Sequence, residues 1–271
     1  MTTGSAAADP TWPPTWDHPP LTGSVAVVTG GAERVGAYVC RALAAAGAAV
    51  VINHLDEAAA AANTQSAILA AGGRAVVAQA DISDPAAAHR LVRAAVDEFG
   101  SLDLVVHNAS TFVNRPFLQI TADDLEKSLG AIVKGPLWVS QAAVPAMGAR
   151  GGRMIAVIGN SVSEAWPGYL THSIAKAALK RMMENLAIEL APDVSCLTVC
   201  PGQLIVGEDP AHDVRARRGE HRGTTHVEMP DGQRMHAGTP QDLADAVVML
   251  AAAPAYLNGT SLVLDGGRSL Y

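Results

Sequence analysis

Short apolar segments alternate with longer, Ala-rich segments along this chain from residue 24 onwards. The short segments are rich in Val, Ile and Leu and predict β-strands, whereas the longer ones predict helices. We expect strands at residues 24–29, 50–53, 75–79, 102–107, 153–158, 194–199 and 261–264. Strands that alternate with helices in this way predict an α/β fold, with a doubly wound, Rossmann-like, seven-stranded parallel sheet and helices on both faces.

The residues at the ends of the longer segments predict where the helices begin. Asp84 followed by Pro85 is typical of a helix start, and Thr121 and Thr239 stand at similar positions. We expect helices at residues 34–46, 56–71, 85–99, 122–147, 171–190 and 240–250. Ligands of such a fold bind at the carboxyl ends of the strands, so the residues that follow each strand are the candidates for a site.

Two segments fall outside this pattern. Residues 1–20 are rich in Ala, Thr, Pro and Trp and predict a flexible tail, which leaves residues 21–271 as a single domain. Residues 207–238 are polar and charged, and a segment of that length within a domain is expected to be a lid, an insert loop or disordered. Its four histidines have spacings that match no standard metal-ligand motif, so we predict no metal site. They are His212, His221, His226 and His236.

Composition narrows the classes of partner. Hydrophobic residues make up 49% of the chain and aromatic residues 4%, so Ala, Val, Leu and Ile must fill the core. The net charge of −7 gives no support to nucleic-acid binding. No apolar run approaches the ~20 residues that span a membrane, and the N-terminus does not resemble a signal peptide. Three cysteines without a CxxC motif favour a reducing compartment, and we therefore expect a cytoplasmic protein that acts on a small molecule.

The turn between the first strand and the first helix is rich in glycine, Thr29-Gly30-Gly31-Ala32-Glu33-Arg34-Val35-Gly36. Glycines at this place let the backbone approach a pyrophosphate, whose charge is attracted by the helix N-terminus. The motif therefore indicates a dinucleotide site, although an ordinary glycine turn has the same composition.

Several segments in the expected order resemble the short-chain dehydrogenase/reductase family over residues 24–271. They are the glycine turn, Asn108-Ala109-Ser110-Thr111-Phe112, Gly168-Tyr169-Leu170-Thr171-His172-Ser173-Ile174-Ala175-Lys176, Cys200-Pro201-Gly202 and Asp265-Gly266-Gly267-Arg268-Ser269-Leu270. Arg34 stands where the family usually has glycine and is typical of the pteridine reductase branch. The resemblance implies a nicotinamide cofactor and a homo-oligomer, either a dimer or a tetramer. It assigns cofactor binding to Gly30, Arg34, Val35, Gly36, His54, Asp81, Asn108, Lys176, Pro201 and Gly202.

The choice between NADP and NAD depends on the residues near the adenine ribose. His54 occupies the position that usually selects the cofactor, at the end of the second strand. Arg34 and His54 would attract the 2′-phosphate of NADP, whereas Glu33 and Asp56 would repel it. We favour NADP because of the branch, and NAD remains possible.

The catalytic residues depart from those of the family. There, a tyrosine four residues before a lysine donates the proton; here His172 precedes Lys176. The position at the end of the fifth strand falls on Asn160, followed by Ser161, and the position of a relay asparagine falls on Ile132. His172, Lys176, Asn160 and Ser161 are therefore our catalytic candidates, within a degenerate tetrad.

Two roles remain open for His172. Histidine is the commonest general acid near neutral pH, but the positive charge of Lys176 disfavours the imidazolium. His172 would then be mostly neutral, and the alternative to a catalytic role is that of a polar wall residue.

The resemblance also implies the shape of the substrate. In pteridine reductases a phenylalanine at the position of Phe112 stacks a flat heterocycle, and Ser110, Trp166 and Tyr169 would complete that pocket. We therefore expect an NAD(P)-dependent oxidoreductase acting on a flat, pterin-like heterocyclic or aromatic carbonyl or imine. The alternatives are a dehydratase, isomerase or cyclase with His172 as general base, and an inactive binding or regulatory subunit.

Overall fold

The computed structural model describes residues 19–204, 226–228, 234–236 and 238–270. Seven of its strands are parallel, namely β1 (Val25–Val28), β2 (Ala49–His54), β3 (Arg74–Gln79), β4 (Leu104–His107), β5 (Gly152–Val157), β6 (Val194–Pro201) and β9 (Ser261–Leu264). They form one sheet in the order β3-β2-β1-β4-β5-β6-β9. The chain order reverses beside β1, which places a crevice between the carboxyl ends of β1 and β4. The predicted doubly wound sheet is confirmed.

Seven α-helices connect these strands within the described residues. They are α1 (Arg34–Ala45), α2 (Ala58–Ala70), α3 (Pro85–Phe99), α4 (Ala122–Leu129), α5 (Gly135–Met147), α6 (Leu170–Glu189) and α7 (Pro240–Ala251). Asp84 accepts hydrogen bonds from the first turn of α3, and Thr121 and Thr239 form capping boxes, as their sequence positions predict. A π-helical turn, Gly130–Lys134, joins α4 to α5.

The five central strands, β2, β1, β4, β5 and β6, are buried on both faces, so the core has two halves. One face of the sheet packs against α1 and α7, and it includes Val28, Ile52 and Leu243. The other face packs against α3, α5 and α6, and it includes Val27 and Leu179. Each such side chain contributes roughly 1.5–3 kcal/mol when fully buried, so both layers of helices hold the sheet in place.

The segment predicted to be a lid contains a small hairpin. β7 (His226–Glu228) and β8 (Arg234–His236) pair antiparallel, with His226 opposite His236. Residues 1–18 of the predicted tail, His212 and His221 lie outside the described residues, and the lid remains a prediction. Within the described ranges, no cluster of His, Cys, Asp and Glu is suited to a metal ion, and no helix is both long and apolar enough to cross a membrane.

Candidate active site

The glycine turn after β1 has the shape that a pyrophosphate requires. Gly30 has a φ of +61°, and a Cβ on Gly36 would lie 2.0 Å from the carbonyl oxygen of Gly30. Glu33 is the N-cap of α1, and its side chain makes no capping hydrogen bond to the first helical turn. The open first turn and the closely approaching backbone fit the phosphates of a dinucleotide.

The loop after β4 is fastened to this turn. The hydroxyl oxygen of Thr29 accepts hydrogen bonds of 3.1 Å from the backbone nitrogens of both Asn108 and Ala109. The side-chain amide of Asn108 donates to the carbonyl oxygen of Gly30 at 2.8 Å. Asn108 therefore shapes the turn through its side chain, and its predicted place in the cofactor site stays a prediction.

Arg34 begins α1 in a conformation that disfavours most side chains. Its φ is +52°, and it is the single non-glycine residue with a positive φ among the described residues. Its side chain is exposed, so the guanidinium is accessible from solvent beside the glycine turn. A non-glycine residue in this region is strained and frequently marks a functional position.

The remaining cofactor candidates follow the ends of other strands at the same edge of the sheet. His54 ends β2; it is buried, and its Nδ1 has no hydrogen-bond partner among the described residues. Asp81 follows β3; it is exposed, and its Oδ1 accepts hydrogen bonds from the backbone nitrogen and hydroxyl of Ser83. Pro201 ends β6, and the nitrogen of Gly202 donates to the carbonyl oxygen of Leu264 at 2.8 Å. Val35 is partly buried in α1.

His172 lies in the first turn of α6 and is 2% exposed. Its Nδ1 lies 2.8 Å from the carbonyl oxygen of Thr111, in the loop after β4. Burial lowers the pKa of His172 to about 4, and the charge of Lys176 adds to the shift, whereas the hydrogen bond to Thr111 opposes it. The imidazole is therefore neutral at physiological pH, but burial, which the sequence did not predict, contributes more to this than the charge of Lys176.

Lys176 lies one helical turn further along α6 and is also buried. Its Nζ donates a hydrogen bond of 2.7 Å to the carbonyl oxygen of Val157, the last residue of β5. Burial lowers the pKa of this ammonium to about 7. The lysine thus ties α6 to the sheet at the edge where the cofactor candidates gather.

Aromatic rings surround the imidazole. The ring of Phe112 stacks on that of His172 with centroids 4.4 Å apart, and the ring of Trp166 lies 5.9 Å away at an interplanar angle of 5°. Tyr169 is buried and meets both aromatic rings edge-on, at 6.4 Å from Phe112 and 6.1 Å from Trp166. The structure thus brings three predicted substrate residues together, while Ser110, two residues before Phe112, is exposed. We refer to Phe112, Trp166, Tyr169 and His172 as the ring cluster.

Polar atoms without partners lie beside α6. Asn160 and Ser161 form a 3₁₀ turn after β5, and both are buried. Among the described residues, neither Asn160 Oδ1 nor Ser161 Oγ has a hydrogen-bond partner. Buried polar groups are rarely left unpaired, so these two atoms are exceptions among the described residues. Ile132, at the position of the relay asparagine, is fully buried in the π-helical turn.

Sequence reasoning did not find the role of Thr111. It holds His172 through its backbone carbonyl, and a carbonyl is present in every residue, so nothing in the side chain signals the contact. The same is true of Val157, which binds Lys176 through its carbonyl oxygen.

Comparison with known proteins identifies the family. A family model described as enoyl-(acyl carrier protein) reductase matches residues 30–269. The chain belongs to the short-chain dehydrogenase/reductase family. Its NAD(P)-dependent L-rhamnose 1-dehydrogenase relative from Azotobacter vinelandii is 36% identical over 252 residues, covering 89% of this chain and 94% of that protein. The 4-formylbenzenesulfonate dehydrogenase of Comamonas testosteroni is 34% identical over 261 residues, which cover 92% of this chain and 99% of that protein.

A solved structure from the same family has a similar fold. The crystal structure of a short-chain dehydrogenase from Burkholderia cenocepacia J2315 in complex with NADP gives a TM-score of 0.80 at 32% identity, covering 93% of this chain and 99% of that one. The prediction of a short-chain NAD(P)-dependent oxidoreductase is confirmed at the level of the family. The roles of individual residues remain predictions.

Proposed function

We propose that this protein transfers a hydride between NADP(H) and a flat, pterin-like heterocyclic or aromatic substrate, interconverting a carbonyl or imine with its reduced form. The observation that supports this most directly is the ring cluster around His172, one helical turn from Lys176. Flat rings stack favourably on exposed aromatic faces, and Phe112 is 48% exposed.

The cofactor side of the proposal rests on the glycine turn. The first turn of α1 would hold the pyrophosphate, and Lys176 would bind the nicotinamide ribose, as in the family. Arg34 and His54 favour the 2′-phosphate of NADP, against the acidic Glu33 and Asp56. When bound, the nicotinamide supplies or accepts the hydride.

The proposed substrate class is narrower than the range of substrates named for members of the family. The two named relatives act on a sugar and on a formyl-substituted benzene ring. In this chain, the aromatic residues around His172 favour a planar ring, and Asn160 and Ser161 offer polar atoms that a substrate could engage. We also propose a homo-oligomer, a dimer or tetramer, which sedimentation equilibrium would measure.

Calorimetry with NADPH and NADH tests the cofactor. We expect NADPH to bind more tightly, and Gly36→Ala to abolish binding because its Cβ would overlap the carbonyl oxygen of Gly30. Gly130→Ala is the matched control, since a Cβ there makes an ordinary 3.5 Å contact with Ser83. Failure of both dinucleotides to bind the folded protein would refute the proposal.

Turnover of pterin-like, quinonoid and other aromatic carbonyl compounds tests the substrate. With the substrate and cofactor that the enzyme turns over, His172→Phe should lower the rate by about 10²-fold or more, the typical contribution of a general acid or base. Conversion of sugars alone, with no activity on flat rings, would contradict the substrate class.

A non-redox reaction is the second candidate. It is favoured by the replacement of the family's tyrosine with a neutral imidazole, which is a better base than acid. Dehydration, isomerisation or ring closure by protein freed of dinucleotide would support it. Binding of dinucleotide without turnover of any substrate would instead support an inactive binding or regulatory subunit.

A further inference from the structure

The proton on the imidazole of His172 can be located from its hydrogen bond. Nδ1 lies 2.8 Å from the carbonyl oxygen of Thr111, and a carbonyl oxygen accepts hydrogen bonds but cannot donate them. Nδ1 must therefore carry a proton. A neutral imidazole has one N–H group, so Nε2 carries the lone pair.

The surroundings of the ring keep this tautomer in place. The opposite tautomer would set the lone pair of Nδ1 against those of the Thr111 carbonyl. Phe112 stacks on the ring at 4.4 Å, which restrains its rotation. Within the described part of the chain, Nε2 takes part in no hydrogen bond, although the ring is nearly buried. The resting site thus presents a proton acceptor.

We propose that His172 is the general base of substrate oxidation, with Nε2 taking the proton of the substrate hydroxyl or amine while the carbonyl of Thr111 fixes the tautomer. This rests on the proposed function. As the O–H or N–H proton passes to Nε2, the adjacent C–H bond breaks, its hydride passes to the oxidised nicotinamide dinucleotide, and a C=O or C=N bond forms. The imidazolium then releases its proton to water.

The Thr111 carbonyl supports this step as well as orienting the ring. Its hydrogen bond from Nδ1–H strengthens as the ring becomes positive, since hydrogen bonds from charged donors are stronger. Lys176 has the opposite effect, because its positive charge lowers the pKa of His172. Among the described residues, it is the charged group that shifts this pKa. The two effects together keep the base neutral at rest while allowing it to accept a proton in the reaction.

Reduction by the same site requires the imidazolium, because the reverse of proton acceptance is proton donation. With a pKa of about 4, that form makes up about one part in 10³ at pH 7. Oxidation uses the abundant form of the enzyme, whereas reduction uses the rare one.

Nitrogen-15 NMR of His172 tests the tautomer independently of turnover. Long-range ¹H–¹⁵N spectra at pH 7, with and without NADP⁺, should show a protonated Nδ1 and an Nε2 with the shift of a bare lone pair. The signals are assigned by their loss in His172→Phe, and the exposed His89 serves as the internal reference. An Nε2–H tautomer would overturn the inference.

The pH dependence of kcat/KM gives a second readout. Between pH 5 and 6, where Lys176 with its pKa of about 7 keeps its charge, the value for oxidation should stay level, while that for reduction should fall about tenfold. In His172→Tyr, the fall in reduction should begin at higher pH, because a phenol keeps its proton longer. A level profile for reduction in the unaltered enzyme would contradict the base assignment.

The two proposals fail in different ways. Loss of dinucleotide binding would refute the proposed function and leave the NMR result standing. Dinucleotide-dependent turnover together with an Nε2–H tautomer would refute the base assignment alone.

Discussion

The ring of Phe112 lies against the imidazole of His172, with centroids 4.4 Å apart and planes inclined at 21°. The two residues come from different parts of the chain, the loop after β4 and the start of α6. The contact therefore holds the proposed base and the proposed stacking surface in one unit. Any change at Phe112 is expected to affect both substrate affinity and the orientation of the imidazole.

Phe112→Ala should raise KM for flat substrates by about 2- to 10-fold, the equivalent of the ~0.5–1.5 kcal/mol of an aromatic pair. The unfolding free energy should fall by about 0.5–1.5 kcal/mol, since the half-exposed ring also stacks on His172. Steady-state kinetics and urea denaturation measure the two effects. Phe117→Ala is the control, because Phe117 is 72% exposed and its ring does not stack on or meet edge-on a ring of the cluster within the described residues. Equal effects at both positions would argue against stacking.

Lys176→Met should raise the pKa of His172. Burial would still lower that pKa, but the repulsion between ammonium and imidazolium would be gone. NMR titration of the imidazole measures the shift directly. Lys180→Met tests for a general effect of charge on α6, because Lys180 pairs with Glu184 and does not shift the pKa of His172. An unchanged titration in Lys176→Met would mean that burial alone sets the pKa.

His107 should make the fold sensitive to acid. It is 1% exposed at the end of β4, its Nε2 lies 3.0 Å from Ser140 Oγ, and burial lowers its pKa to about 3. Between pH 6.5 and 3 the unfolded chain binds a proton there that the folded chain does not, so stability falls as the pH falls. The loss from pH 7 to 5 should be about 2 kcal/mol.

His107→Asn removes that contribution. Urea denaturation at pH 7 and pH 5 should show a smaller loss of stability in the variant than in the unaltered protein. A loss remains in the variant, because the lowered pKa of His172 also decreases stability below pH 6.5. His89→Asn, at an exposed position, should leave the loss unchanged. If His107→Asn retained the full acid sensitivity, the buried imidazole would not be its source.

Two substitutions of Arg34 separate the effect of its backbone strain from the effect of its positive charge. Arg34→Gly should stabilise the fold by about 0.5–1 kcal/mol, because the strain at φ +52° is relieved and only partly offset by the freedom of glycine when unfolded. Arg34→Ala keeps the strain and should not stabilise. Both should weaken NADPH binding more than NADH binding, which thermal unfolding and calorimetry would measure. A preserved NADPH preference in both variants would remove Arg34 from phosphate recognition.

The sequence predicts the scaffold well because its signals are local. The apolar runs give every strand of the large sheet to within two residues at each end, and Asp84 and Thr239 mark helix starts that the structure confirms. The hairpin of β7 and β8 was not predicted, since its three-residue strands are too short to show a period. The π-helical turn at Gly130–Lys134 was also missed, because it changes the hydrogen-bond register without interrupting the apolar pattern.

The sequence indicates which residues form the candidate site, but it does not indicate how their side chains contact one another. His172 and Lys176 are recognisable from their spacing, and Phe112 from the motif after β4. Their partners, the carbonyl oxygens of Thr111 and Val157, are backbone groups brought near by the tertiary fold. The sequence could therefore indicate a neutral imidazole, but it could not tell which nitrogen holds the proton.

The unpaired oxygens of Asn160 and Ser161 bear on how selective this enzyme is. Their dehydration is already complete in the folded protein, so a ligand that supplies matching N–H or O–H groups gains the hydrogen bonds without that penalty. A hydrocarbon of identical shape would leave both oxygens without a hydrogen-bond partner. Under the proposed function, rings that carry N–H or O–H groups should therefore be preferred to naphthalene-like rings.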